Sequence, residues 1–439
     1  MVKAAVSFFD RLMQDYTPDP FLLVILLTVS LFGLGLVVTP SSPMQLITYW
    51  GDGFWGLIQF TLQMVMVLVG GYIIAVAPPI KKGLTRIAQS VSTSGQAVVV
   101  VTLIALVGSY LNWGLGLVIG GIVCREIAKI LPGVNYRLLV ASSYSGFIVW
   151  HGGLSASIPL VIATEGHFTQ HLTGVIPISQ TLFAPLNITA IIGMFLILPV
   201  ANWALGKIHP DNRPVDIQED SDQSDSSLLP ENMVPAEKLE NSMIVSLLVA
   251  SMGFLYIIAQ IYEGKFSLGL NDVNFVLLML AIFCHGTPRS LLNALTDGAK
   301  RVGPILIQFP FYAGIMGMMA SSSLAQWLSD IFVASCTAEN FPLLTFYSAG
   351  FLNMFIPSGG GQWAVQGPII LEAARQIGAD ISKVALAVAW GDAWTNLLQP
   401  FWALPLLAIA GLKIRDIMGY CVSLLFITGV FLTAIFLVF

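Results

Sequence analysis

Residues 353–362 read Asn353-Met354-Phe355-Ile356-Pro357-Ser358-Gly359-Gly360-Gly361-Gln362, a polar and glycine-rich interruption of an otherwise apolar segment running from Phe341 to Arg375. A helix rises about 1.5 Å per residue, and crossing the hydrocarbon core takes about 20 apolar residues. The arms flanking the interruption fall short of that length, so the chain is expected to turn back toward the face it came from. A counterpart lies between Gln96 and Arg125. There Asn112-Trp113-Gly114 splits the apolar run into arms of about fourteen and about ten residues. Both segments read as re-entrant hairpins, the first opening toward the cytoplasm and the second outward.

Each hairpin is followed by a long apolar span broken near its centre. The breaks are Trp150-His151-Gly152-Gly153-Leu154-Ser155 in the first half and Thr395-Asn396-Leu397-Leu398-Gln399-Pro400 in the second, each followed by a proline, Pro159 or Pro405. Matching interruptions in two halves of opposite membrane orientation are the signature of an inverted-topology transporter, and they point to its binding site. The reason is the backbone. Unwound peptide at the midplane leaves N–H and C=O groups that protein, water or ligand must satisfy at several kcal/mol each. Helix N-termini meeting there favour a carboxylate, and carbonyl-rich ends favour a cation. Gly359, Gly360 and Gly361 are expected to allow close backbone approach and positive φ.

Composition agrees with a membrane solvent. The chain has 439 residues, 56% hydrophobic, and only 10% are charged, against about 25% in soluble domains. The net charge of −5 comes without a basic, aromatic-interleaved patch, which argues against nucleic acid as a partner. Cys124, Cys284, Cys336 and Cys421 lie far apart and suggest neither a disulfide framework nor a zinc site. His167 and His171, spaced i, i+4 in an expected external loop, lack companion ligands for a metal.

Apolar spans are expected near 20–38, 54–80, 138–163, 182–206, 242–262, 303–320, 384–411 and 416–438, with a weaker one at 272–288. The first reads as a retained helix rather than a cleaved leader. With the N-terminus in the cytoplasm and the C-terminus in the periplasm, sixteen of the 19 basic residues fall inside, and only Lys265, Arg375 and Lys383 fall outside. The positive-inside rule asks for that asymmetry. Residues 207–241 hold nine of the 24 acidic residues among Ser and Pro, and read as a flexible cytoplasmic linker between the halves.

No Lys or Arg occupies the middle of a span, so a bound anion would be held by dipoles, hydroxyls and amides, which suits a small monocarboxylate. Asp392, the most isolated acid in an apolar span, is the candidate for ion coupling. His151 is a candidate for ligand contact or for carrying a proton. No phosphate-binding loop, His-Glu-x-x-His or nucleophile elbow is present, so neither an enzyme nor an ATP-driven pump is indicated, and no cofactor is implied.

Several segments are shared with a known group. They include Trp50-Gly51-Asp52-Gly53-Phe54-Trp55, Asn112-Trp113-Gly114-Leu115-Gly116-Leu117-Val118, Gln308-Phe309-Pro310-Phe311-Tyr312-Ala313-Gly314, Pro357-Ser358-Gly359-Gly360-Gly361, Gln399-Pro400-Phe401-Trp402-Ala403-Leu404-Pro405 and Arg415-Asp416-Ile417-Met418-Gly419-Tyr420. Through them the chain resembles, over essentially its whole length, the bacterial short-chain fatty acid transporter family of the acetoacetate-operon type, within a wider ion-transporter superfamily. The resemblance implies an all-α polytopic protein of the bacterial inner membrane, with a dimerising scaffold and a transport domain that moves as an elevator. The scaffold would comprise 1–96 and 242–341. The transport domain would comprise 97–206 (hairpin 97–130, broken helix 138–163) and 342–439 (hairpin 342–375, broken helix 384–411, last helix 416–438), with the linker at 207–241.

Asn112, Trp113, Gly114, His151, Gly152, Ser155, Asn353, Ser358, Gly359, Gly360, Gly361, Gln362, Thr395, Asn396 and Gln399 are the expected substrate-binding residues. The implied function is secondary uptake of acetoacetate, butyrate or a similar acid. Another small organic anion, or a passive anion channel, are the alternatives. The superfamily's sodium-coupled dicarboxylate members carry Ser-Asn-Thr at the hairpin tips, where this chain has Asn112-Trp113-Gly114 and Ser358-Gly359-Gly360, so the coupling ion stays open between H+ and Na+.

Overall fold

The computed structural model describes residues 20–131, 133–208, 233–399 and 401–439. Lys3, Arg11, Pro400 and most of the acidic stretch (209–232) lie outside the described residues. Every regular element among the described residues is helical. In chain order those of seven residues or more are α1 (Pro20–Val38), α2 (Pro43–Gly53), α3 (Ile58–Val76), α4 (Pro78–Gln89), α5 (Ser94–Leu111), α6 (Trp113–Ile130) and α7 (Tyr136–Ser145). A 3-10 segment (Gly146–Gly152) follows, then α8 (Ser157–Ala163) and α9 (Pro185–Ile208). The second half contains α10 (Met243–Tyr262), α11 (Leu270–His285), α12 (Pro288–Ala299), α13 (Gly303–Ser321), α14 (Leu324–Ser335), α15 (Phe341–Asn353), α16 (Gly359–Ile377), α17 (Ile381–Thr395), α18 (Ala403–Ala410) and α19 (Ile414–Val438). Eight helical stretches among the described residues are long and apolar enough to cross a membrane, so this is a multi-pass membrane protein.

Seven of those eight coincide with expected spans, and the eighth is Ser94–Leu111. Here the sequence reading is corrected. The arms beside Asn112 were expected at about fourteen and ten residues, but α5 and α6 have 18 residues each. The extra length comes from the ends. Thr93 caps α5 by accepting from the N–H of Gln96, and α6 runs through Arg125 and Glu126 to Ile130. In the second half α15 is short, with 13 residues, whereas α16 has 19. Arm length alone therefore does not decide whether these helices cross.

What the structure does show is that both pairs fold back on themselves. Asn112 ends α5 and begins α6 in an extended conformation, φ −156° and ψ 126°. A Cβ on Gly108 would lie 2.9 Å from the Cα of Gly116, so the two arms touch backbone to backbone. In the second pair the amides of Gln362 and Gln366 on α16 donate to the Ala349 carbonyl (2.9 Å) and the Ser348 hydroxyl (3.2 Å) on α15.

The interrupted spans are also observed. Residues 153–156 separate the 3-10 segment from α8, and residues 396–402 separate α17 from α18. The 384–411 span is thus two short helices rather than one. In the first, 94% of the apolar window is buried, against 11% for α1, so the broken element lies at the centre and α1 at the periphery. One order of elements occurs twice: long helix, short amphipathic helix, folded-back pair, interrupted helix, long helix. It runs from α3 to α9 and again from α13 to α19.

Candidate functional site

The two folded-back pairs and the two breaks converge. Asn112 caps α6, its Oδ1 accepting from the N–H of Leu115 at 2.9 Å, while its Nδ2 donates to the Val67 carbonyl of α3 at 3.1 Å. The Trp113 N–H donates to Ser155 Oγ at 2.9 Å, joining the first tip to the first break. Of the first-turn N–H groups that a helix cannot satisfy internally, those of Trp113 and Leu115 are thereby occupied, and Gly114 borders an open cavity. Ser358 caps α16 by accepting from the Gly361 N–H at 3.3 Å. Both helices thus start, positive dipole end first, at the same place.

The triple glycine has a packing reason. A Cβ on Gly359 would strike the His151 ring, one on Gly360 the Phe60 ring at 2.5 Å, and one on Gly361 the Tyr312 ring. Close approach is borne out. Positive φ is not, because none of the three is among the residues with left-handed backbone. They form the ordinary first turn of α16, where steric room rather than backbone freedom requires glycine.

A cavity of about 290 Å³ opens beside the tips. Its walls come from α3 (Leu68, Tyr72), α6 (Trp113, Gly114, Leu117), α13 (Ile305, Gln308, Phe309), Ser358, and the chain around α18 (Trp402, Pro405). Small-molecule pockets occupy about 300–1,000 Å³, and this one lies at the lower end of that range. Its lining is mostly apolar, with Ser358, Gln308 and the indoles of Trp113 and Trp402 as uncharged side chains able to hydrogen-bond beside the tips and Arg301 stacked on Tyr72 (4.7 Å) farther along. A void of about 20 Å³ adjoins it, bounded by Trp113, Trp150, Trp402, Ser358, Gly359 and Gly360. The indoles of Trp113 and Trp402 meet edge-on at 5.0 Å, and that of Trp150 lies 6.2 Å from Trp113.

Of the sequence-selected residues, Trp113, Gly114, Ser358, Gly359 and Gly360 border these spaces. The others stand behind them. The Asn353 amide donates to the Asp392 carbonyl (2.9 Å), Thr395 Oγ1 (2.9 Å) and Asn396 Oδ1 (3.1 Å). Gln399 donates to Asn396 Oδ1 at 2.6 Å, and the Asn396 carbonyl accepts from the Tyr144 hydroxyl at 2.7 Å. Gln362 joins α16 to α15 as described. The Gly152 carbonyl accepts from Asn187, which in turn accepts from Trp390 Nε1. This polar web fixes the second break against α15. We expect Asn353→Ala to cost about 2–3 kcal/mol, because it leaves buried acceptors unpaired, and thermal unfolding in detergent measures it; an unchanged midpoint would mean that the web does not hold the break in place.

Asp392 is fully buried, and neither carboxylate oxygen has a hydrogen-bond donor among the described residues. His151 Nδ1 lies 3.5 Å from one of its oxygens, and that nitrogen is 2.8 Å from the Ala389 carbonyl. A buried carboxyl without donors calls for a proton or a cation.

Sequence reasoning did not single out Arg301, Gln308, Tyr72 or Trp402 as site residues. Gln308 was visible as a buried amide amid apolar α13. The other three join the cavity only through packing of distant segments.

The comparisons agree with this architecture. The sequence pattern of the family described as short chain fatty acid transporter matches residues 1–439. A relative from Escherichia coli (strain K12), named "Putative short-chain fatty acid transporter", is 38% identical over 431 residues, covering 98% of both chains. Another of the same name from Haemophilus influenzae (strain ATCC 51907 / DSM 11121 / KW20 / Rd) is 37% identical over 437 residues, again covering 98% of both. Among solved structures, the Alcanivorax borkumensis YdaH transporter, reported as having an unusual topology, superposes with a TM-score of 0.56 at 14% identity, over 95% of this chain and 98% of that one. That likeness extends to the fold. With a family match along its entire length and two such relatives, the chain belongs to the short chain fatty acid transporter family, whose members are transporters and not enzymes.

Proposed function

We propose that the protein takes up short-chain monocarboxylates such as acetoacetate or butyrate across the bacterial inner membrane, as a secondary transporter coupled to H+ or Na+. In this reading the N-terminus is cytoplasmic, the C-terminus is periplasmic, and the protein is a homodimer, as the family resemblance implies. The folded-back pairs α5–α6 and α15–α16 are re-entrant hairpins in two inverted repeats. Residues 97–206 and 342–439 move as an elevator against a scaffold of 1–96 and 242–341.

The observation that carries the reading is the position of the cavity. The tips at Trp113, Gly114 and Ser358 supply one side of it, and α3 and α13, through Leu68, Ile305 and Phe309, supply the other. A carboxylate there lies at helix N-termini, with N–H groups and the Ser358 hydroxyl as donors. The remaining apolar wall accepts an alkyl tail at about 0.8 kcal/mol per buried methylene. In this reading substrates are discriminated by a short apolar chain, with Arg301 the charged residue of the lining. Asp392, behind the Gly359–His151 contact, exchanges the coupling ion.

The test is uptake of radiolabelled acetoacetate and butyrate into proteoliposomes under separately imposed proton and sodium gradients. Saturable accumulation driven by one of the two ions is expected. Uptake that only equilibrates would identify a passive channel instead, and accumulation of other anions with neither acid transported would reassign the substrate.

A further inference from the structure

On another face of the molecule, Lys81, Lys82 and Arg86 of α4 meet Arg125 and Lys129 of α6 across an open cleft of about 640 Å³. Among the described residues five cations line one recess with a single carboxylate, Glu126, which is held by Lys129 at 2.8 Å, while Arg125 has a partner of its own. Lys81, Lys82 and Arg86 form no ion pair among the described residues. Lys82 and Arg86 are also spaced i, i+4 on one helix, where like charges repel. Such a recess is stable when an anion occupies it.

The surroundings say what kind of anion. The cleft sits just beyond the apolar end of α3 at Val76 and beside the last turn of α6, the level at which apolar spans give way to charge. Its uncharged wall includes Thr85, Ile122 and Ile409. A free phosphate would use the cations and leave these apolar flanks bare. A molecule with a phosphate head and acyl chains covers both.

We propose that this cleft is a binding site for the headgroup of an anionic phospholipid. The phosphodiester lies between α4 and α6, against Lys81, Lys82, Arg86 and Lys129, with its chains leaving along Ile122 and Ile409. The assignment does not depend on what the protein transports.

Native mass spectrometry of the full-length protein tests it, after incubation with phosphatidylglycerol, with phosphatidylcholine, or with phosphatidylglycerol plus inorganic phosphate. Wild type is expected to retain phosphatidylglycerol in preference to phosphatidylcholine, and phosphate is expected not to displace it. The exposed triple substitution Lys81→Gln, Lys82→Gln and Arg86→Gln should weaken phosphatidylglycerol binding by about a hundredfold, given how strongly each basic residue near an anionic lipid contributes. Lys300→Gln, at an exposed lysine paired with Asp297 outside the cleft, should leave it unchanged. Equal retention of the two lipids, equal binding by the triple variant, or displacement by inorganic phosphate would each overturn the proposal.

Discussion

Asp392→Asn is expected to abolish concentrative uptake, lowering accumulation against a gradient by about a hundredfold, equivalent to about 2.7 kcal/mol, while exchange of labelled for unlabelled substrate continues. The amide has nearly the shape of the acid but can neither gain nor lose a proton, nor can it neutralise a cation. The site has no substitute. Among the described residues both oxygens of Asp392 are buried without donors, and His151, 3.5 Å away, is turned toward the Ala389 carbonyl. Counterflow and gradient-driven uptake measured on the same proteoliposomes separate the two effects. Undiminished gradient-driven accumulation would remove Asp392 from the coupling step.

Gly360→Leu is expected to eliminate uptake and exchange together, with the protein still inserted and folded. The first side-chain carbon would already meet the Phe60 ring at 2.5 Å and Phe309 at 3.4 Å. Both belong to helices proposed to stay still, so a leucine wedges the second tip against the wall it must pass. Overpacking of this kind costs about 1–3 kcal/mol, which a membrane protein of this size tolerates, whereas the tip loses its fit to the cavity. Gly360→Ala, with one carbon, should fall between the two. Normal uptake by the leucine variant, with membrane content equal to wild type, would remove this tip from the binding site.

Both arguments turn on residues that stood out in the sequence, for a physical reason. Gly, Pro and lone polar residues inside apolar runs have few places to go in a bilayer, so the fold-backs at Asn112 and Ser358 and the breaks, expected at 150–155 and 395–400 and found at 153–156 and 396–402, were legible to within a few residues. Helix length was less legible. Arg125, Glu126 and Lys129 looked like the end of a span, yet α6 carries them on its final turns. The glycine run was read half correctly: contact with His151, Phe60 and Tyr312, not backbone twist, explains it. The cavity walls were beyond reach, since Tyr72, Arg301 and Trp402 lie in three distant segments and only packing assembles them.

Three indoles around one small void have a practical corollary. Trp113, Trp150 and Trp402 contribute three of the ten tryptophans in the chain, Trp113 and Trp402 also line the adjoining cavity, and their emission depends on the polarity and quenching of what fills that cavity. The protein therefore holds its own optical sensor of occupancy, and titrating unlabelled acids while following intrinsic fluorescence would rank ligands without a dye, a tag or a transport assay.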